Sequence, residues 1–180
     1  MTTVFLQGGE DVKKRTNIQM FREILKLSKR KSILIIPWTS NSREKEMSYR
    51  EIYVNYFKDV GFKKILFLET EDSIDTARRK FSEADVVYLP GGDPKILYEK
   101  ITEKGVDALI RSFNGILVGN SAGAILLSKG QTHGGTFYPG IGILDFFVEV
   151  HYCPSEPDTE DKSMTVCIPE NTWIAIKMPR

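Results

Sequence analysis

The sequence predicts an α/β fold, a doubly wound and mostly parallel sheet with helices on both faces, followed by a short β-rich C-terminal region. Three observations carry that expectation. From the N-terminus to Leu127, short continuous apolar runs alternate with segments of helical periodicity. Most of these runs stop at glycine or proline. Past Gly130 the helical periodicity ends and only short strand-like runs remain.

The elements follow in order. Val4-Phe5-Leu6 is the first run and ends at Gly8-Gly9. Ile18, Phe21, Ile24 and Leu25 then recur at helical spacing. Ser32 to Ile36 is the second run, closed by Pro37. Tyr49, Ile52, Tyr53, Tyr56 and Val60 make a second helix face, stopped by Gly61. Ile65 to Leu68 is the third run, and Ile74, Ala77 and Phe81 predict a short helix capped by Asp72 or Ser73. Val86 to Leu89 is the fourth run, stopped by Pro90-Gly91-Gly92. Asp93-Pro94 then opens a helix carrying Ile96, Leu97 and Ile101, with a capping acid before a proline at the first helical position. Gly115 to Val118 is the fifth run, and Ala122 to Leu127 reads as a helix. Gly134, Gly135, Gly140 and Gly142 read as a glycine-punctuated loop, and Phe146–Val150, Thr165–Ile168 and Trp173–Lys177 as strands. Uninterrupted apolar strands are buried on both faces, and right-handed crossovers then give a flavodoxin-like open sheet. No repeat or linker divides the chain, so residues 1–180 read as one domain.

Composition narrows the class. The chain has 180 residues, 41% hydrophobic and 27% charged, enough to bury a core without staples. Twenty-five basic residues against 24 acidic ones give a net charge of +1, and the basic clusters are dispersed, which argues against a nucleic-acid partner. Two cysteines and two histidines support neither a disulfide framework nor a structural zinc site. No signal peptide and no membrane span is read in the chain, so a cytoplasmic location with no membrane partner is expected.

Gly119-Asn120-Ser121-Ala122-Gly123 fits Gly-x-Ser-x-Gly and lies between a buried run and an apolar helix, the strand–turn–helix context of a nucleophile elbow. A sharp turn there lifts the Ser121 hydroxyl above the sheet. The next amide, on Ala122, then faces developing negative charge at a helix N-terminus. A second donor is expected from Gly91 or Gly92, because the fourth strand lies beside the fifth in a doubly wound sheet. Such a serine needs a base. The choice is His133, in the glycine-rich stretch, or His151, at the end of a strand, and His151 is favoured. Glu149, Glu156, Asp158, Glu160, Asp161 and Glu170 are all open as the acid that orients it.

The motifs together resemble the serine peptidases that include aspartyl dipeptidase (peptidase E) and, more distantly, cyanophycinase. The resemblance runs through Leu6-Gln7-Gly8-Gly9, Ile35-Ile36-Pro37-Trp38-Thr39-Ser40, Ala84 to Pro94, Gly119 to Ala124, Pro139 to Leu144, Val150-His151-Tyr152 and Ile168 to Trp173. It implies a class I glutamine amidotransferase-like fold and a triad in the order Ser121, His151, Glu170, with oxyanion donors on Ala122 and on Gly91 or Gly92. It further implies hydrolysis of small peptides, including dipeptides with N-terminal aspartate, without metal or organic cofactor. The chain departs from the family in carrying Glu149 two residues before the histidine, where an aspartate is usual, and in lacking an arginine in the stretch after it. A member without catalysis, acting as a binding or regulatory domain, and an esterase-type acyl hydrolase are the alternatives. An exposed sheet edge would allow a homodimer as well as a monomer.

Overall fold

The computed structural model describes residues 2–153 and 164–179. Its strands are β1 (Thr3–Gln7), β2 (Ser32–Ile35), β3 (Lys64–Phe67), β4 (Val86–Leu89), β5 (Ile116–Asn120), β6 (Gly130–His133), β7 (Thr136–Pro139), β8 (Phe147–Val150), β9 (Thr165–Ile168) and β10 (Trp173–Lys177). Its helices are α1 (Ile18–Leu27), α2 (Arg43–Val60), α3 (Ile74–Glu83), α4 (Pro94–Glu103), α5 (Val106–Ser112) and α6 (Ala122–Leu127). The main sheet has the order β10-β1-β5-β4-β2-β3, in which β10 runs antiparallel to β1 and the other pairings are parallel. Among the described residues no helix is long and apolar enough to cross a membrane.

Alternation along the strands builds two cores. Val4, Leu6, Leu34, Val87, Leu89 and Leu117 pack with the apolar stripes of α3 to α6. Phe5, Ile33, Ile35, Val86, Tyr88 and Val118 pack with α1 and α2, where Phe21, Tyr56, Phe57 and Tyr88 make edge-on and stacked ring contacts. Strands buried on both faces explain why the runs are continuous rather than alternating.

The expected punctuation is observed. Gly61 caps α2 with φ 114°. Ser73 accepts from the Thr76 amide at the start of α3, and Asp93 accepts from the Lys95 and Ile96 amides at the start of α4. Two elements differ from expectation. The stretch around Gly134 and Gly135 is not a loop but the tight turn of the β6–β7 hairpin, with both glycines at positive φ (56° and 76°). The short helix α5, which buries only Val106 and Ile110, has too few apolar positions for its periodicity to be read.

Asp85, just before β4, ties the sheet's N-terminal end together. It accepts from Ser28 Oγ at 2.8 Å and from Arg30 Nε at 2.9 Å, and its carbonyl accepts from the Ile116 amide. Burial alone would raise this carboxyl, but the Arg30 and Ser28 hydrogen bonds outweigh it and hold it below its usual range. The ionised form is therefore favoured in the folded state, and the stability it contributes is present above the ordinary value of 3.8 and lost as pH falls through the lower folded value. Asp85→Asn is expected to cost about 1 kcal/mol near neutrality, the scale of a charged hydrogen bond partly screened by solvent. Urea unfolding should show that gap at neutral pH and its closure in acid, where the wild type loses the same interaction.

Candidate active site

β5 ends at Asn120, and the chain turns sharply through Ser121 into α6. Ser121 has φ 48° and ψ −104°, a conformation costly for a residue with a side chain, and its amide donates to Gln7 O at 3.0 Å. The bracketing glycines are required by close approach. A Cβ on Gly119 would lie 2.5 Å from the Gly123 carbonyl carbon and oxygen, and one on Gly123 would collide with the Leu89 carbonyl oxygen. The turn thus seats α6 directly on β5 and β4 while raising the serine hydroxyl at the C-terminal ends of the strands.

His151 and Glu170 arrive from a separate two-stranded sheet. β8 and β9 are parallel, with Val150 opposite Ile168, so the segments that follow leave at the same end. His151 comes directly after β8, and Glu170 lies in the turn after β9. Ser121 Oγ lies 2.7 Å from His151 Nε2, and His151 Nδ1 lies 2.8 Å from Glu170 Oε1. The chain of contacts is open to water, the His151 side chain being 49% and the Glu170 side chain 65% exposed.

The other candidates for base and acid stand elsewhere. His133 ends β6 opposite Thr136, on the hairpin. Glu149 lies within β8, where its Oε2 accepts from Cys167 Sγ at 3.6 Å. Glu156, Asp158, Glu160 and Asp161 lie outside the described residues. Gly91 is beside the serine: a Cβ on it would lie 3.5 Å from Ser121 Cβ and 3.4 Å from Asn120 Nδ2. Gly92 is turned toward Thr39, with an added Cβ 2.5 Å from Thr39 Oγ1.

Gly8 and Gly9, read from the sequence as the end of a strand, position His151 and the turn that carries Glu170. Gly8 O accepts from the His151 amide at 2.8 Å, and Gly9 O accepts from the Asn171 amide at 2.9 Å. Gly9 also lies against the imidazole, where a Cβ would stand 2.5 Å from His151 Cε1 and 2.7 Å from Nδ1. Gly9→Ala should therefore push the ring out of line with Ser121. Misplacement on that scale costs about 10- to 100-fold in kcat. The half-exposed ring can move without opening the core, so thermal melting should change little while turnover falls.

A cavity of about 620 Å³ opens beside Ser121 and His151. It is lined by Asn120 with the Pro90-Gly91-Gly92 turn, by Gly9 to Lys13, by Pro37, Thr39 and Ser40, and by one face of α2. Such a volume suits a small ligand. Two of its carboxylates are pushed above their usual range by burial. Glu10 is raised although it accepts from Tyr56 Oη at 2.5 Å and from the Asn17 amide at 3.1 Å. Glu46 is raised although Arg50 lies 3.7 Å away.

Comparison with known proteins agrees with this architecture. Residues 4–176 match peptidase family S51. A candidate peptidase E protein from Listeria monocytogenes EGD-e superimposes with a TM-score of 0.71 at 19% identity, covering 99% of this chain and 100% of that one. A peptidase from an acI-B1 Actinobacterium superimposes with a TM-score of 0.69 at 19% identity, covering 98% of this chain and 84% of that one. Among curated proteins no match is found. At that identity the two structures speak for the fold alone, while the family match spans nearly the whole chain. The chain belongs to peptidase family S51, a family of serine peptidases.

Proposed function

We propose that the protein hydrolyses small peptides through an acyl-enzyme on Ser121, with His151 as general base and Glu170 as the residue that orients it. One observation carries the reading: Ser121 Oγ at 2.7 Å from Nε2 of an imidazole whose Nδ1 is 2.8 Å from a carboxylate. A carboxylate accepting from Nδ1–H leaves the lone pair on Nε2, where the serine proton must go. Ser121 attacks the scissile carbonyl as His151 takes that proton. The oxyanion is held by the Ala122 amide and by an amide of the Gly91–Gly92 turn, of which Gly91 stands nearer the serine. His151 then protonates the leaving amine, and water releases the acyl group by the same route.

The size of the cavity and the peptidase E assignment of the Listeria protein support dipeptides, including those with N-terminal aspartate, as substrates. A dipeptide panel read by amine release tests this. Turnover should concentrate on peptides with a free N-terminus and an acidic first residue. Cleavage of long internal sequences, or of simple esters alone, would contradict it.

A further inference from the structure

Residues 45, 49 and 53 are four apart on α2, so they share one face, and all three line the cavity. Lys13, from the segment after β1, reaches the same wall, with its Nζ 5.8 Å from the centre of the Tyr49 ring. Lys13 and Lys45 are thus two ammonium groups on adjoining parts of one wall, in the cavity that also contains Ser121.

The acids on that wall are already engaged. Asp11 accepts from the amides of Lys13 and Lys14 and pairs with Lys14 Nζ at 3.4 Å. Glu46 faces Arg50, and Glu10 is held by Tyr56 and the Asn17 amide. By contrast, among the described residues no carboxylate lies within ion-pair distance of Lys13 Nζ or Lys45 Nζ. Among the described residues neither ammonium has an ion-pair partner, so beside the nucleophile both can pair with a carboxylate of a ligand.

We propose that Lys13 and Lys45 are the specificity-determining pair of this site and hold a carboxylate of the substrate. The inference rests on the peptidase reading above and adds the residues that select the substrate. The carboxylate has two sources in a short peptide, an acidic first side chain or the free C-terminus. A lysine is a point charge on a flexible stem, so it can serve either without the fixed fork of an arginine.

The test compares kcat/KM ratios in the wild type and in a Lys13→Met, Lys45→Met double variant. Both side chains are on exposed residues, so the substitutions leave the core untouched. One ratio is Asp-Leu over Asn-Leu, and the other is Asp-Leu over its C-terminal amide. At least one ratio should fall about tenfold in the double variant, borne by KM, the scale of two partly screened ion pairs. A fall in the first ratio assigns the side-chain carboxylate, and a fall in the second assigns the C-terminus. Lys13→Arg with Lys45→Arg should restore much of the lost ratio, while Lys29→Met, far from the cavity, should leave both ratios as in the wild type. If the double variant still turns over substrate with both ratios within about twofold of wild type, the lysine pair is ruled out and the peptidase reading survives. If the wild type itself neither hydrolyses any of these peptides nor reacts with a serine-directed phosphonate, the peptidase reading fails and takes this inference with it.

Discussion

Ser121→Ala is expected to remove turnover, by about 10⁶-fold in kcat for a serine that acts with its base as one unit. That is about 8 kcal/mol of transition-state stabilisation, at 1.36 kcal/mol per decade. The protein should stay folded. The one hydrogen bond described for Ser121 Oγ is the one to His151 Nε2, and alanine keeps the Cβ. The elbow is held instead by the Ser121 amide on Gln7 O and by the glycine contacts on either side. His151→Ala should cost nearly as much, and the double variant scarcely more than either single one, because neither group does the chemistry without the other. Steady-state kinetics on a responsive dipeptide, with circular dichroism of each variant, would check this. Additive losses would mean that the two residues act separately.

Glu170→Gln carries the second large effect. Glutamine keeps the shape but replaces a charge with an amide that can donate as well as accept. An amide donating to Nδ1 would place the proton on Nε2, where it blocks the attack of Ser121. A fall of about 10²- to 10⁴-fold in kcat is expected, with little change in KM. The upper figure belongs to buried carboxylates. Here both partners are half exposed or more, so water screens the charge and orientation supplies most of the effect. Glu149→Gln should do far less, because that side chain faces Cys167 in the β8–β9 ladder rather than His151 Nδ1. A severe loss in Glu149→Gln beside a mild one in Glu170→Gln would transfer the orienting role to Glu149.

What the sequence could reveal followed from local chemistry. Asp93-Pro94, Ser73 and Gly61 mark helix ends by their own hydrogen-bonding or backbone preferences, and each is found in that role. Gly-x-Ser-x-Gly between an apolar strand and an apolar helix located the elbow because both glycines are demanded by packing within a few residues of the serine. Choosing the acid required more than spacing. Glu149 and Glu170 lie on either side of His151 in the chain, and only the parallel pairing of β8 with β9 brings the turn after β9 up to the imidazole. The part played by Gly8-Gly9 was hidden for the same reason, since its partners are more than a hundred residues away. The lysines on the cavity wall were equally hidden. Lys13 and Lys45 stand in ordinary charged stretches, and their meeting on one wall beside Ser121 is a fact of three dimensions.

In the proposed mechanism Ser121 is the nucleophile, made reactive by His151 and Glu170. Intact-mass and peptide-mapping analysis after treatment with a fluorophosphonate probes it most directly, because the reagent records the activated oxygen itself. One adduct per chain is expected, on Ser121, formed slowly in Glu170→Gln and absent in Ser121→Ala and His151→Ala. An adduct on another residue, or peptide hydrolysis by a protein whose Ser121 stays unmodified, would contradict it.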